Sequence, residues 1–250
     1  MRKRTLHTLL FLIALTLCAA QLHAYPIDGY AETGIARLEG YRLAQEGKVD
    51  GNYLPPGALL KSEQIQLRLT GYPDLDIPES DPALTRRIVA LLGADARHTS
   101  VSVLDLSDPA QPLYAEHNAD TRRNPGSVGK IMVALAMFQA LADLYPDDIE
   151  ARKRVLKNTQ VTADEFIHTD SHEVPFWFPD EKRLPRRALR EGDTANLWSY
   201  LDWALSASSN AAASMVIREL VLLKRFGTEY PPAPDQEHEF FHDTPASERR

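Results

Sequence analysis

The stretch from Val128 to Leu144 constrains this chain more than any other. Val128, Ile131, Met132, Val133, Leu135, Met137, Phe138 and Leu141 recur at helical spacing and leave the helix almost without a polar side. A helix apolar all round belongs in a core, so the interior is predicted to be built around this one. Tyr145-Pro146 ends it. Its entry, Asn124-Pro125-Gly126-Ser127-Val128-Gly129-Lys130, brings in a lysine, a residue seldom buried without a role.

The other end of the chain sets the compartment. Met1-Arg2-Lys3-Arg4 is a positive start, Leu9 to Ala20 a short apolar run, and Leu22-His23-Ala24 offers a small residue for cleavage. Residues 1–24 therefore read as a signal peptide, with export as the expectation. The run is short for a transmembrane helix, so no stable membrane span is expected after cleavage. An uncleaved anchor is the alternative; a lipoprotein through Cys18 is opposed by the bulk of Leu17. Cys18 is the only cysteine and lies inside the signal, which leaves the mature chain no disulfide, thiol nucleophile or Cys-bound metal. A net charge of −7 and a pI near 5.6 argue against nucleic acid as a partner. At 250 residues and 44% hydrophobic, the chain has enough apolar mass for one large domain or two small ones.

Residues 25–80 form a prefix broken by Gly29, Gly34, Gly40, Gly51, Pro55-Pro56-Gly57, Gly71 and Pro78. Ile35 to Gln45 reads as a short amphipathic helix and Leu59 to Leu69 as a second segment. Neither carries a catalytic signal, and a packing arm is expected. The main domain is placed at residues 81–250. Asp81-Pro82 opens a helix with an apolar face of Leu84, Ile88, Leu91 and Leu92, closed by Gly93. Thr99 to Leu106 and Pro112 to Glu116 read as two strands of a hairpin around Ser107-Asp108-Pro109. Past the apolar helix come a charged helix, Asp147 to Leu156, and an irregular stretch from Asn158 to Gly192. In that stretch Phe176-Trp177-Phe178 is expected to anchor in the core. Asp193-Thr194 is predicted to cap a helix bearing Leu197, Trp198, Leu201 and Leu205. Ser206 to Asn210 interrupts it, and a last helix runs from Ala211 to about Phe226, capped by Gly227.

Ser127 and Lys130 lie three residues apart at a helix start, a spacing that places them on one face. The helix N-terminus offers unpaired N–H groups and a positive dipole end, so the backbone N–H of Ser127 can face a developing oxyanion. A lysine in a buried setting can lose its proton near neutral pH and act as a base. A nucleophile beside a base is what covalent acyl transfer requires. The bland reading is a chance serine and lysine, with the lysine reaching solvent from the first turn. Ser208-Ser209-Asn210 is a second polar element between two helices; its bland reading is a junction in which Ser208 or Asn210 caps the next helix.

The order of helix, hairpin, S-x-x-K on an apolar helix and then S-x-N between helices resembles the serine β-lactamases and penicillin-binding proteins. Ser102 to Leu106, leading on to Lys130, looks like their first strands and nucleophile helix. Ser206-Ala207-Ser208-Ser209-Asn210-Ala211-Ala212-Ala213 looks like the class A S-D-N region with serine in the middle. The resemblance spans about Pro82 to Phe226. It implies an α/β (α+β) fold, β-lactamase/transpeptidase-like, with an antiparallel sheet packed by helices beside a mostly helical lobe. It also implies roles. Ser127 forms the acyl-enzyme and Lys130 helps deprotonate it. Ser208 passes a proton to the leaving nitrogen, and Asn210 hydrogen-bonds the substrate amide. The implied compartment is the bacterial periplasm, or secretion beyond it; the implied substrate is a small molecule, a β-lactam or a cell-wall peptide, and no cofactor is implied.

The sequence departs from that pattern in two places. No K-T-G or K-S-G follows Asn210, and no E-x-x-L-N, the class A deacylation element, is found; Glu229, Glu237 and Glu239 lack its context. A fragment of a longer chain and a degenerate member are both compatible with this. A D,D-peptidase and a non-catalytic binding or scaffold protein stand as alternative functions. His168, Asp170, His172 and Glu173 group metal-ligand types, with His168, Asp170 and His172 on one face if extended. Pro175 and Pro179 favour a polar loop instead, and no metal is expected.

Overall fold

A computed structural model describes residues 26–51, 60–167 and 170–243. The proposed signal peptide and Cys18 lie outside them. The chain is a mixed α and β protein in which helices dominate. In order, the main elements are α1 (Ala36–Gln45), α2 (Pro82–Leu92), β1 (Val101–Asp105), β2 (Leu113–His117), α3 (Lys130–Leu144), α4 (Ile149–Asn158), β3 (Gln160–Thr162), β4 (Val174–Pro175), β5 (Arg186–Arg187), β6 (Thr194–Asn196), α5 (Leu197–Ser206), α6 (Asn210–Phe226) and α7 (Pro234–His238). Among the described residues, the strands pair as three separate two-stranded antiparallel sheets, β1–β2, β3–β6 and β4–β5.

Two compact units result. One takes Gln66 to Pro125; the other takes the described residues up to Ile65 and from Gly126 onward. These boundaries differ from a division at residue 80. Within the smaller unit, Asp81 caps α2 by accepting from the Leu84 N–H at 2.6 Å, with Pro82 in the first turn and Gly93 closing it. Helix α2 packs against β2. The hairpin pairs Val101 with His117 through to Asp105 with Leu113. No residue of α2 is fully buried: Leu84, Ile88 and Leu92 of its expected apolar face are half-buried, and Leu91 is 87% exposed. In place of one element over Leu59 to Leu69 the chain forms two short 3-10 turns, Ser62–Gln64 and Arg68–Gly71, the second running past Leu69; Leu59 itself is outside the described residues.

The larger unit is organised by α3, α5 and α6, which pack on one another. Its core gathers Met137 and Leu141 of α3, Leu197, Tyr200 and Trp203 of α5, and Ala212, Met215, Val216 and Leu223 of α6. Burying each of the large side chains is worth about 1.5–3 kcal/mol. Of the loop aromatics, Phe176 packs against this core: its ring lies 5.1 Å from that of Trp203, whose indole N–H donates to the Pro175 carbonyl at 3.1 Å, while Trp177 and Phe178 are half-buried beside it. Asn196, not Asp193-Thr194, caps α5, its side chain accepting from the Ser199 N–H. Asp193 is held by Arg187 instead, and Thr194 sits in β6.

Helix α3 departs most from expectation. Only Lys130, Ala134, Met137 and Leu141, one stripe at helical spacing, are buried. Ile131 is 59% and Leu135 55% exposed, and Val128, Met132 and Phe138 share that open face. Hydrophobic pattern reports which faces are apolar; what covers them depends on neighbours far away in sequence.

Candidate active site

Gly126, at φ 54°, takes a backbone conformation that favours glycine and turns the chain into a 3-10 segment, Gly126–Gly129, ahead of α3. Ser127 therefore sits in that tighter turn and not on the α-helix itself. The 3-10 geometry eclipses residues three apart, and it sets the Lys130 Nζ 3.1 Å from the Ser127 Oγ. Ser127 is exposed, whereas Lys130 is 9% exposed and heads the buried stripe of α3.

The amine reaches a second serine. Lys130 Nζ donates to the Ser208 carbonyl at 2.7 Å and to the Ser208 Oγ at 3.2 Å, across 78 residues of chain. Among the described residues, the recorded partners of this amine are hydroxyl and carbonyl oxygens and include no carboxylate. Three of the four site residues named from sequence thus meet at one nitrogen. Asn210 does not: it is exposed, at the first position of α6, and the bond the structure records for it is a backbone N–H donated to Asp170.

The turn that delivers Ser208 is unusual. Ser208 has φ 58°, in the left-handed region, which costs a non-glycine residue roughly 1–2 kcal/mol. Such strain persists where surrounding bonds over-determine it. Here they are supplied by Ser209 and Asp170. Ser209, fully buried, caps α6 by accepting from the Ala212 N–H at 3.1 Å, the place sequence gave to Ser208 or Asn210. Its own N–H donates to the Trp203 carbonyl.

Asp170 was noted in the sequence only as a candidate metal ligand. Its side chain is 3% exposed. Oδ2 accepts from the Ser209 Oγ at 2.9 Å, the Asn210 N–H at 2.6 Å and the Ala211 N–H at 3.1 Å. Oδ1 accepts from His172, at Nδ1 (2.6 Å) and at its N–H (3.2 Å). Burial works to raise this carboxyl, but the hydrogen bonds from His172, Ala211 and Ser209 outweigh it and hold the group well below the usual carboxylate range. No local signal ties Asp170 to a helix start 39 or more residues on. Among the described residues, no three His, Cys, Asp or Glu gather as a metal site. His168 lies outside them, and Glu173 is exposed.

A basic side chain bridging two hydroxyls, one exposed and one half-buried, is equipped to relay a proton between them. Comparison with protein-family models, curated proteins and solved structures gives no match to this chain.

Proposed function

We infer that the chain is a serine acyl-transfer enzyme of the penicillin-recognising type, a β-lactamase-like hydrolase with a β-lactamase/transpeptidase-like fold. The reading rests on one observation: Lys130 Nζ lies 3.1 Å from Ser127 Oγ and 3.2 Å from Ser208 Oγ. Ser127 Oγ attacks the lactam carbonyl carbon as its proton passes to the Lys130 amine. The C–N bond then breaks, and the leaving nitrogen takes a proton from Ser208 Oγ, which Lys130 replenishes. Water hydrolyses the resulting ester and restores Ser127. Asn210, on the exposed first turn of α6, is assigned to the substrate's amide side chain by the resemblance alone. The substrates are β-lactams or cell-wall peptides, the partners are small molecules, and the destination is the periplasm.

A second reading is favoured by the want of an E-x-x-L-N element in the sequence. A D,D-peptidase uses the same three residues and forms a long-lived adduct with penicillin. Fluorescent penicillin on the purified protein tests both. Covalent labelling that disappears in Ser127→Ala supports the acyl-serine chemistry. Rapid loss of label marks the lactamase, and persistence the peptidase. No labelling of folded protein overturns both, and leaves a non-catalytic binding or scaffold protein.

A further inference from the structure

Ser208 presents its carbonyl and hydroxyl to Lys130 from a strained turn, and that turn is fastened from outside by one carboxylate. We propose that Asp170 is a positioning residue: by clamping Ser209, Asn210 and Ala211 it holds Ser208 in register with the Lys130 amine. This rests on the acyl-serine reading for its catalytic meaning, though the placement of Lys130 can be measured without it.

Asp170 Oδ2 gathers three donors from three consecutive residues, Ser209 Oγ and the Asn210 and Ala211 N–H groups. These belong to the start of α6, where the helix's unpaired N–H groups need acceptors. Ser208 immediately precedes them and touches Lys130 through two of its oxygens. A rotation of the turn that relaxes φ at Ser208 carries its carbonyl away from the amine. The other carboxylate oxygen is held by His172. The carboxylate is therefore fixed at both ends, which a clamp needs and a freely rotating surface acid does not offer. It also occupies the positive end of α6, a favourable place for a negative charge. The S-x-N element of this chain has a serine in its middle position, and Asp170 brings an acid to that serine from a distant loop.

The test compares Asp170→Ala, Asp170→Asn and a core control, Val161→Ala, whose residue is buried in β3 and has no polar side-chain atom to bond Asp170 or Lys130. Lys130 is followed by the 13C resonance of its Cε, which reports its contacts with Ser127 and Ser208, and acylation by penicillin burst kinetics. In Asp170→Ala the Lys130 Cε resonance is expected to leave its wild-type position. The acylation rate at saturating probe falls at least tenfold, with a smaller change in the half-saturating concentration. Asp170→Asn, which keeps one oxygen for the α6 N–H groups, recovers at least part of the shift and of the rate. Val161→Ala lowers Tm without moving Lys130. If Asp170→Ala behaves like Val161→Ala, or loses rate with Lys130 unmoved, the proposal is overturned. If the wild type is not acylated, the enzymatic reading fails, and the Lys130 resonance alone still decides the positioning.

Discussion

Replacing Lys130 by methionine separates a lysine kept for chemistry from one kept for stability. The side chain is 9% exposed and heads the stripe continued by Ala134, Met137 and Leu141. Methionine has a similar reach and fills the same channel. The swap removes the cost of keeping a polar amine out of water and puts apolar atoms in its place. It also removes three hydrogen bonds, each worth about 0.5–1.5 kcal/mol net, or more where the donor is charged. The acceptors left behind are cheap to leave, because Ser127 is exposed and Ser208 half-buried, so water can replace the amine. Stabilising replacements at functional sites commonly gain about 0.5–2 kcal/mol, and the variant is expected to gain about 1–2 kcal/mol. For a chain of this size that is a rise of roughly 2–8 °C in Tm. Acylation by fluorescent penicillin should meanwhile fall by about 10²–10⁴-fold with the base gone. Thermal melts and burst kinetics on one preparation read both quantities. A Tm that drops by several degrees would refute the reasoning, since Lys130 would then be a structural strut.

Three further outcomes follow from burial and charge. The Asp170 carboxyl is held below its unfolded range, so it contributes stability above that range and loses it as pH falls through the folded value; the stability gap between wild type and Asp170→Asn in urea melts is expected at pH 7 and should narrow progressively once pH falls below the ordinary carboxylate range. Arg218, buried among Asp164, Glu219 and Glu237, leaves uncompensated carboxylates when removed, and Arg218→Ala should cost about 3–5 kcal/mol by urea denaturation; a loss below 1 kcal/mol would mean that this network is solvated. Leu135→Lys, on the open face of α3, should change stability by about 0.5 kcal/mol or less, whereas a cost above about 2 kcal/mol would show that the face is covered in solution.

Local chemistry was readable and long-range chemistry was not. Asp81-Pro82 and Gly93 bracket α2 as their backbone preferences dictate, and the β1–β2 hairpin falls where alternation and turn residues put it. Ser127 and Lys130 were visible because three residues separate them. Pairing them with Ser208 came from the resemblance, since nothing in either segment announces a partner 78 residues away. The cap of α5 was misplaced by two or three residues, because Asp193, Thr194 and Asn196 are all competent and Arg187 had a prior hold on Asp193. The full burial expected of α3 failed for a different reason: periodicity cannot count how many neighbours a helix will find. Asp170 was read as a ligand type among ligand types, and only the folded chain shows its carboxylate turned to the start of α6.

The distance in sequence between the two serines has a consequence in time. A chain growing from its N-terminus carries Ser127 and Lys130 well before Ser208 exists, and joining them closes a loop whose entropic cost grows with the logarithm of its length. On the proposed reading, the pair is chemically idle until α3, α5 and α6 have assembled. Acylation then reports folding of the whole helical unit, and a chain nicked or misfolded anywhere between α3 and α6 falls silent as a catalyst before it disappears as a protein.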